Sequence, residues 1–365
     1  MQPSDFRLTA LADLAAAGFD AVIDARAPAE FAEDHLPGAI SLPVLDDTQR
    51  AEVGTIYKQV SPFDARKIGG ALVAANVARH VAGPLSAHGG GWRPLVYCWR
   101  GGQRSGSFAT ILAQIGWRTA RLHGGWKAWR ALVVEQVEQI GPPCPLIVLD
   151  GNTGSAKTEI LHRLAARGVQ VIDLEGLANH RGSLFGAMPD GQPPQKLFES
   201  RLAVALAALD PTRPAVIEAE SSRIGAVVVP RAVWRALCTA PRLRLAVPLS
   251  ARAAYTARAY ADAVAQPGGV EATVARLAPL HPAERIAMWR DLAQRGDWTG
   301  LAEGLMRDHY DPRYDKHRAR HEGPDALRNA LIALDDLSPA RLDEAAAAVE
   351  KAVASMEKSQ AETGS

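Results

Sequence analysis

Cysteine is scarce in this chain. Cys98, Cys144 and Cys238 are the three in 365 residues, too few and odd in number for a disulfide framework. That scarcity points to a reducing, cytoplasmic setting. No apolar run approaches membrane-spanning length, and the opening Met1-Gln2-Pro3-Ser4-Asp5-Phe6-Arg7 lacks the charged segment and apolar core of a signal peptide. No internal repeat is present. Acidic residues are missing altogether from Ala65 to Val134. The same stretch carries ten cations: Arg66, Lys67, Arg79, Arg93, Arg100, Arg104, Arg118, Arg121, Lys127 and Arg130. Net charge over the whole chain is only +1. The local imbalance therefore predicts a basic surface that draws in an anionic substrate.

What is present is enough for two domains. At 365 residues, 47% hydrophobic and 22% charged, the chain has the composition of an ordinary globular protein with a sizeable core in each half. Leu95-Val96-Tyr97 reads as the end of a buried strand, with Cys98 where the strand stops. Gly101 and Gly102 let the backbone curl, and Ser105 is placed to cap a helix starting near Ser107. Such a loop aims backbone N–H groups and a helix's positive end above the sulfur, which suits an anion and a thiolate. Arg100 and Arg104 add charge. The pattern marks Cys98 as a nucleophile, with Arg100, Gly101, Gly102 and Arg104 supporting the loop.

Upstream, Asp24-Ala25-Arg26-Ala27-Pro28-Ala29-Glu30-Phe31 follows a strand at Phe19 to Ile23, and His35-Leu36-Pro37-Gly38-Ala39 follows that. Downstream lies Leu122-His123-Gly124-Gly125-Trp126-Lys127-Ala128-Trp129-Arg130. These three segments, in this order, resemble rhodanese domains over residues 8 to 136. The resemblance implies a parallel α/β domain whose cysteine carries sulfur or selenium. The loop is Cys-x5-Arg here, one residue longer than in common sulfurtransferases and equal to that of the related dual-specificity phosphatases. The wider cradle suits a phosphate-like group.

Pro142, Pro143 and Pro145 predict a stiff linker at 137 to 145, with Cys144 incidental within it. The second domain opens with the strand Leu146-Ile147-Val148-Leu149-Asp150, then Gly151-Asn152-Thr153-Gly154-Ser155-Ala156-Lys157-Thr158, then an amphipathic helix ended by Gly168. Strand, glycine loop, Lys-Thr and helix form the P-loop context. Its amides wrap phosphate oxygens, Lys157 supplies a point charge, and Thr158 can reach a metal such as Mg²⁺ or a phosphate. Ala156 replaces the usual glycine and is expected at a helical φ. Glu218 and Glu220 end a further strand. Either can occupy the place of a Walker B acid or pair with Arg223. From Arg213 to Arg258 there are eight Arg against two Glu, a net of 8 − 2 = +6, which suits a nucleic-acid backbone or a solvated helix face. After a strand at Leu243 to Val247 the chain is expected to be helical, broken by a polar loop at 308 to 317 in which Tyr310 and Tyr314 can stack on bases or pack at a domain edge. A last helix, 339 to 356, aligns Leu342, Val349, Val353 and Met356.

The expected architecture is thus an α/β chain. Residues 1–136 form a rhodanese-like parallel-sheet domain, and residues 137–365 a P-loop NTPase-like α/β domain with a helical C-terminal part. The pairing, with Tyr97-Cys98-Trp99-Arg100-Gly101-Gly102 and Arg104-Ser105, Gly151-Asn152-Thr153-Gly154, His180-Arg181-Gly182-Ser183, Glu218 to Gly225 and Tyr310 to Tyr314, resembles the tRNA 2-selenouridine synthase family nearly end to end. Gln103 and Ala156 are its mild departures. The resemblance implies geranylation of wobble 2-thiouridine in tRNA by geranyl diphosphate, then selenation by selenophosphate. Cys98 would carry selenium. Gly151, Asn152, Thr153, Gly154, Ser155, Lys157 and Thr158 would hold the diphosphate, with Glu218, Glu220 and Arg223 behind them. No tightly bound cofactor, no resident metal and no membrane are expected, with Mg²⁺ an open requirement; the sequence does not give the oligomeric state, a monomer being the expectation. Two enzyme readings compete: an ATP-dependent tRNA sulfurtransferase and a Cys-x5-Arg phosphatase. A module that only senses nucleotide or anion is the non-enzymatic rival.

Overall fold

Short apolar segments between helices build two parallel sheets. In the first, β1 (Ser4–Phe6), β2 (Ala21–Asp24), β3 (Ala39–Ser41), β4 (Pro94–Tyr97) and β5 (Ala120–Leu122) lie in the order β1-β5-β4-β2-β3, every pairing parallel. β4 is central and buried along its length, as expected of a strand covered on both faces. Its Val96 packs with Ile23, Val73, Val77, Phe108 and Leu112, the last four supplied by the helices Pro62–Ala82 and Gln103–Ile115. Ser61 starts the first of these helices, its Oγ accepting from Asp64 N at 3.2 Å with Pro62 in the first helical position.

The second sheet comprises β6 (Leu146–Gly151), β7 (Gln170–Ile172), β8 (Ala215–Glu218), β11 (Arg242–Ala246) and β12 (Asn329–Ala333), in the order β12-β11-β6-β8-β7, again all parallel. A ribbon of β9 (Arg223–Ile224) and β10 (Val227–Val228) stands apart. The helix Lys157–Ala166 packs Ile160, Leu161 and Leu164 against Leu342, Ala345, Ala346 and Val349 of the helix Pro339–Thr363. In both sheets the strand carrying a sequence-marked loop is the central one. Its C-terminal end lies where the strand order reverses, the usual position for a site in an open α/β sheet.

The computed structural model describes residues 2–261, 268–321 and 329–363. Its chain divides into two compact units, Met1–Ile140 with Pro193–Ala208 and Gly141–Gln192 with Leu209–Ser365. Among the described residues no helix is long and apolar enough to cross a membrane. The fold matches the expected class and departs from the expected elements in four places. Asn329–Ala333 is an edge strand rather than part of a helical tail. Its Ala-Leu-Ile-Ala run is too short and too uniform for a periodicity to declare itself. The polar loop expected at 308 to 317 is helical, Met306–Tyr310 running into Asp311–His321 with Pro312 in its first turn, where proline is tolerated. The linker at 137 begins as a helical turn, Glu135–Ile140.

The fourth departure concerns the helix Gln195–Ala207, expected to belong to the second domain. It packs within the first unit. Trp129, fully buried, donates its indole N–H to Ser200 Oγ at 3.2 Å. The Arg130 guanidinium pairs with Glu199 and donates to the Lys196 carbonyl at 3.3 Å. Lys196 in turn pairs with Glu33 at 2.5 Å. Trp129→Ala should therefore cost about 3–5 kcal/mol by emptying a tight, dry contact. Urea unfolding followed by near-UV circular dichroism measures it, and a loss within error of zero would place Trp129 outside the core.

Candidate active sites

The first site is Cys98, at the end of β4. Cys98 is 3% exposed. The expected cap geometry is not what forms: the helix starts at Gln103, with Gly102 as its N-cap, so Ser105 lies in the first turn rather than before it. From there its hydroxyl reaches back and donates to Cys98 Sγ at 3.1 Å. The hydrogen bond to sulfur thus comes from a side chain, where the sequence suggests a fan of amides. Behind the sulfur, the Cys98 carbonyl accepts from Trp126 N at 2.8 Å. Two glycines make that closeness feasible. A Cβ on Gly125, at φ +58°, would lie 2.2 Å from the Cys98 carbonyl oxygen, and one on Gly101, at φ +66°, 2.5 Å from that of Leu122. The Gly124-Gly125-Trp126 segment is therefore the floor of the cysteine loop. Trp99 stacks on Trp126 with centroids 4.5 Å apart.

The N-terminal motif braces the same loop. Asp24 and Arg26 form a fully buried pair at 2.6 Å, and the Tyr97 hydroxyl donates to Asp24 at 2.7 Å. Arg26 also donates to the Asp34 carbonyl at 2.6 Å, while the Asp34 carboxylate accepts from Trp126 Nε1 at 2.8 Å. Glu30 takes the Arg104 guanidinium at 2.6 and 3.3 Å. Burial alone would raise the Glu30 carboxyl, and Arg104 brings it below its ordinary value. Arg104 is thereby positioned and partly neutralised, while Arg100 is exposed. The basic stretch is offset elsewhere too, by Lys67–Asp64, Arg121–Asp5 and Arg130–Glu199. Cys144 is buried in the second unit, and burial pushes its thiol up.

The second site is the loop after β6. Ser155 N donates to the Asn152 carbonyl at 3.1 Å, the Ser155 hydroxyl donates to that carbonyl too, and Gly154 is left-handed. Ala156 departs from the sequence expectation: its φ is +57°, left-handed, where a helical value is expected. A side chain there costs about 1–2 kcal/mol, which explains glycine as the usual occupant. Lys157 Nζ donates to the Gly151 carbonyl at 3.0 Å and lies 5.7 Å from the centroid of the Tyr314 ring. Burial works to lower its pKa, yet Tyr314, Glu220, Glu175 and Asp150 outweigh burial and hold the ammonium charged.

The sequence leaves two roles open for Glu218. The structure places it at the loop: Thr158 Oγ1 donates to Glu175 at 2.9 Å and to Glu218 at 3.3 Å, and Glu175 N donates to Glu218 at 2.7 Å. Arg223 is exposed on β9. Burial, then the neighbouring Glu175, Glu220 and Asp173, pushes the Glu218 carboxyl up. Glu220 is pushed up to about 8, by burial first and Glu175 next, against the pull of Lys157. Among the described residues no group of three or more His, Cys, Asp or Glu is arranged to hold a metal ion.

Three side chains beside this loop are given no individual role by the sequence. Arg252, buried, donates to the Thr153 carbonyl at 3.0 Å and forms a two-pronged pair with Asp311 at 3.0 and 2.7 Å. It ties the phosphate loop to the helix bearing Tyr314. Thr256 Oγ1 is buried with no hydrogen-bond partner among the described residues, on the wall of the loop's cavity. Ser183 shares a hydrogen bond with the Tyr260 hydroxyl at 3.1 Å and lines the same cavity. Signals exist for Ser183, in the 180–183 motif, and for Asp311, in the 310–314 motif. Arg252 and Thr256 lie on an ordinary-looking helix.

Three cavities meet here. One, of about 1050 Å³, holds the loop from Thr153 to Thr158 with Arg181, Glu175 and Glu220. A second, of about 570 Å³, is walled almost wholly by apolar atoms of Phe185, Val270, Trp298, Leu301, Leu305 and Met306. A third, of about 1690 Å³, is rich in arginine. Ser183 and Tyr310 line all three.

Comparison with known proteins gives two matches along the chain. A rhodanese-like domain model matches residues 8–132, and a model described as the tRNA 2-selenouridine synthase AAA domain matches residues 144–274. A tRNA 2-selenouridine synthase from Cupriavidus necator is 34% identical over 91% of this chain and 96% of its own length. The chain belongs to the tRNA 2-selenouridine synthase family. Members from Chromohalobacter salexigens and Hahella chejuensis are 39% and 37% identical over 66% of this chain. Those two matches span 65% and 63% of the relatives' own lengths, just under two thirds.

Two outcomes are expected of the phosphate loop. Ala156→Gly should stabilise the second domain by about 1 kcal/mol by relieving the left-handed alanine, read by thermal unfolding; destabilisation would contradict the strain. Glu220 keeps its proton up to about 8 in the fold but loses it near about 4.3 when unfolded. The native state therefore holds the extra proton between those values, and stability should fall as pH rises through that window. Urea midpoints across the window should show the decline in the parent and a flatter profile in Glu220→Gln.

Proposed function

We propose that this protein converts wobble 2-thiouridine of a tRNA to 2-selenouridine in two stages, S-geranylation with geranyl diphosphate followed by selenation with selenophosphate. The observation that carries the reading is the apolar cavity opening off the phosphate loop at Thr153, Thr256, Tyr260 and Tyr310. A diphosphate bound by the loop amides and Lys157 would direct its alkyl tail into that cavity. Its exposed wall is almost wholly apolar, which suits an alkyl chain better than a purine, whose ring nitrogens call for polar partners. This favours an alkyl diphosphate over ATP, and so disfavours ATP-dependent thiolation.

The first stage makes a leaving group. The thiocarbonyl sulfur attacks C1 of the geranyl group, the C1–O bond breaks, and its electron pair departs with the diphosphate. The uracil ring loses its N3 proton. Charge develops on the bridging oxygen, where Lys157, the helix N-terminus and the unpartnered Thr256 hydroxyl can stabilise it. In the second stage selenium enters at C2 and geranylthiolate leaves. Cys98 is the nucleophile of this stage: its thiolate takes the phosphoryl group of selenophosphate, the P–Se bond breaks with its electron pair on selenium, the freed selenide is the group that attacks C2, and water later releases phosphate from the sulfur. The Ser105 hydroxyl places a donor on its sulfur, and Arg100 and Arg104 favour an anionic reagent. Selenophosphate, geranyl diphosphate and tRNA are the substrates, with no tightly bound cofactor.

Mass spectrometry of nucleosides from tRNA treated with the purified protein tests this. Cys98→Ala should keep geranyl-2-thiouridine and lose 2-selenouridine. Lys157→Ala should lose both, with geranylation falling by about a hundredfold or more. Loss of geranylation in a folded Cys98→Ala protein would break the division of labour.

A further inference from the structure

The third cavity is used by neither the phosphate loop nor the alkyl site. It measures about 1690 Å³, and its wall presents Arg223, Arg276 and Arg313, all exposed, together with Tyr310, Tyr314 and Glu220. Arg242 also reaches it but is drawn to Asp150 at 3.7 Å. Arg276 donates to Thr273 Oγ1 at 2.9 Å, which orients its guanidinium without neutralising it. Cationic side chains beside aromatic rings in one cleft make the chemistry of single-stranded nucleic acid recognition: guanidinium groups hold phosphates, and rings stack on bases.

Its location adds a stricter constraint. Tyr310 and Ser183 are shared with both other cavities, and Glu220, Gly182 and Tyr314 with the phosphate-loop cavity. In an alkyl diphosphate, the carbon under attack lies where the tail meets the diphosphate. Displacement at that carbon requires the nucleophile to approach from a third direction, opposite the leaving oxygen. The arginine-rich cavity is the one that opens onto the same junction.

We propose that this cavity seats the target nucleotide, extruded from the anticodon loop, with Arg223, Arg276 and Arg313 on its flanking phosphates and Tyr310 and Tyr314 beside the base. The assignment rests on the tRNA reading above and adds the site on which the tRNA enters. Extrusion costs little from an already single-stranded loop. Glu220 lies on the wall between the two polar cavities.

The test uses the full-length protein and an anticodon stem–loop RNA carrying 4-thiouridine at the wobble position. Irradiation and peptide mapping should place the cross-link within 306–314 or 180–185. In parallel, Arg276→Gln with Arg313→Gln should weaken binding of the same RNA about tenfold or more and reduce its salt slope by about 1.5, as two phosphate contacts require. The charge-matched pair Arg235→Gln with Arg290→Gln, on exposed positions outside the three cavities, should change both far less. Inorganic pyrophosphate binding should stay unchanged in both double variants, as an intact phosphate loop requires. A cross-link elsewhere, or equal weakening by the two pairs, overturns the site. If RNA binds here as described while geranyl diphosphate is not used, the cavity assignment stands and the geranylation reading falls.

Discussion

A charged lysine held among carboxylates is the constraint on which the second domain depends. Lys157 must remain an ammonium where burial disfavours charge, and Tyr314, Glu220, Glu175 and Asp150 supply the offset. That arrangement puts several acids close together, and they cannot all ionise at once. Burial first, and the neighbouring acids next, push Glu218 and Glu220 up, while Thr158 bridges Glu175 and Glu218 with its hydroxyl. The loop ahead of the lysine is fixed from outside by Arg252, whose two-pronged pair with Asp311 brings the helix of Tyr314 against the phosphate site. Removing one member of such a buried pair commonly costs about 3–5 kcal/mol. The motif at 310–314 is therefore both a structural clasp and the source of the two rings that face the cavities.

The first domain solves a different problem, that of holding one reactive sulfur at a strand end. Three segments distant in sequence converge on it. Asp24 and Arg26 fix Tyr97 just before the cysteine, Glu30 fixes Arg104 just after it, and Gly125 lets Trp126 N close on the Cys98 carbonyl. None of these contacts touches the sulfur, whose hydrogen bond comes from Ser105. The motifs thus act chiefly as scaffolding, leaving the loop face for a reagent.

Much of this is legible in the chain alone. Cys98 and the phosphate loop each combine a buried strand, glycines and a helix start, a combination that an ordinary connecting turn does not need, and both lie at the ends of central parallel strands. What stays hidden has physical reasons. Ser105 looks like a cap, but a glycine, Gly102, starts the helix earlier and frees the serine hydroxyl for the sulfur. Ala156 is expected to be helical because alanine rarely adopts φ +57°, and only the surrounding loop imposes it. Asn329–Ala333 carries no alternation, since a strand paired on an edge of a covered sheet need not show one. The helix Gln195–Ala207 is buried around much of its circumference, and nothing local says that Ser200 meets Trp129. The apolar cavity is assembled from Phe185, Val270, Trp298, Leu301, Leu305 and Met306, residues too scattered for any window of sequence to display it.

Binding in that cavity separates an alkyl diphosphate from a nucleotide. Calorimetric titration with geranyl diphosphate, inorganic pyrophosphate and ATP compares the three directly. Geranyl diphosphate should bind tightest. Leu301→Trp, which fills the apolar cavity, should reduce its affinity to that of pyrophosphate while leaving pyrophosphate unaffected. Tighter binding of ATP, or indifference of geranyl diphosphate to Leu301→Trp, would contradict the alkyl-diphosphate site.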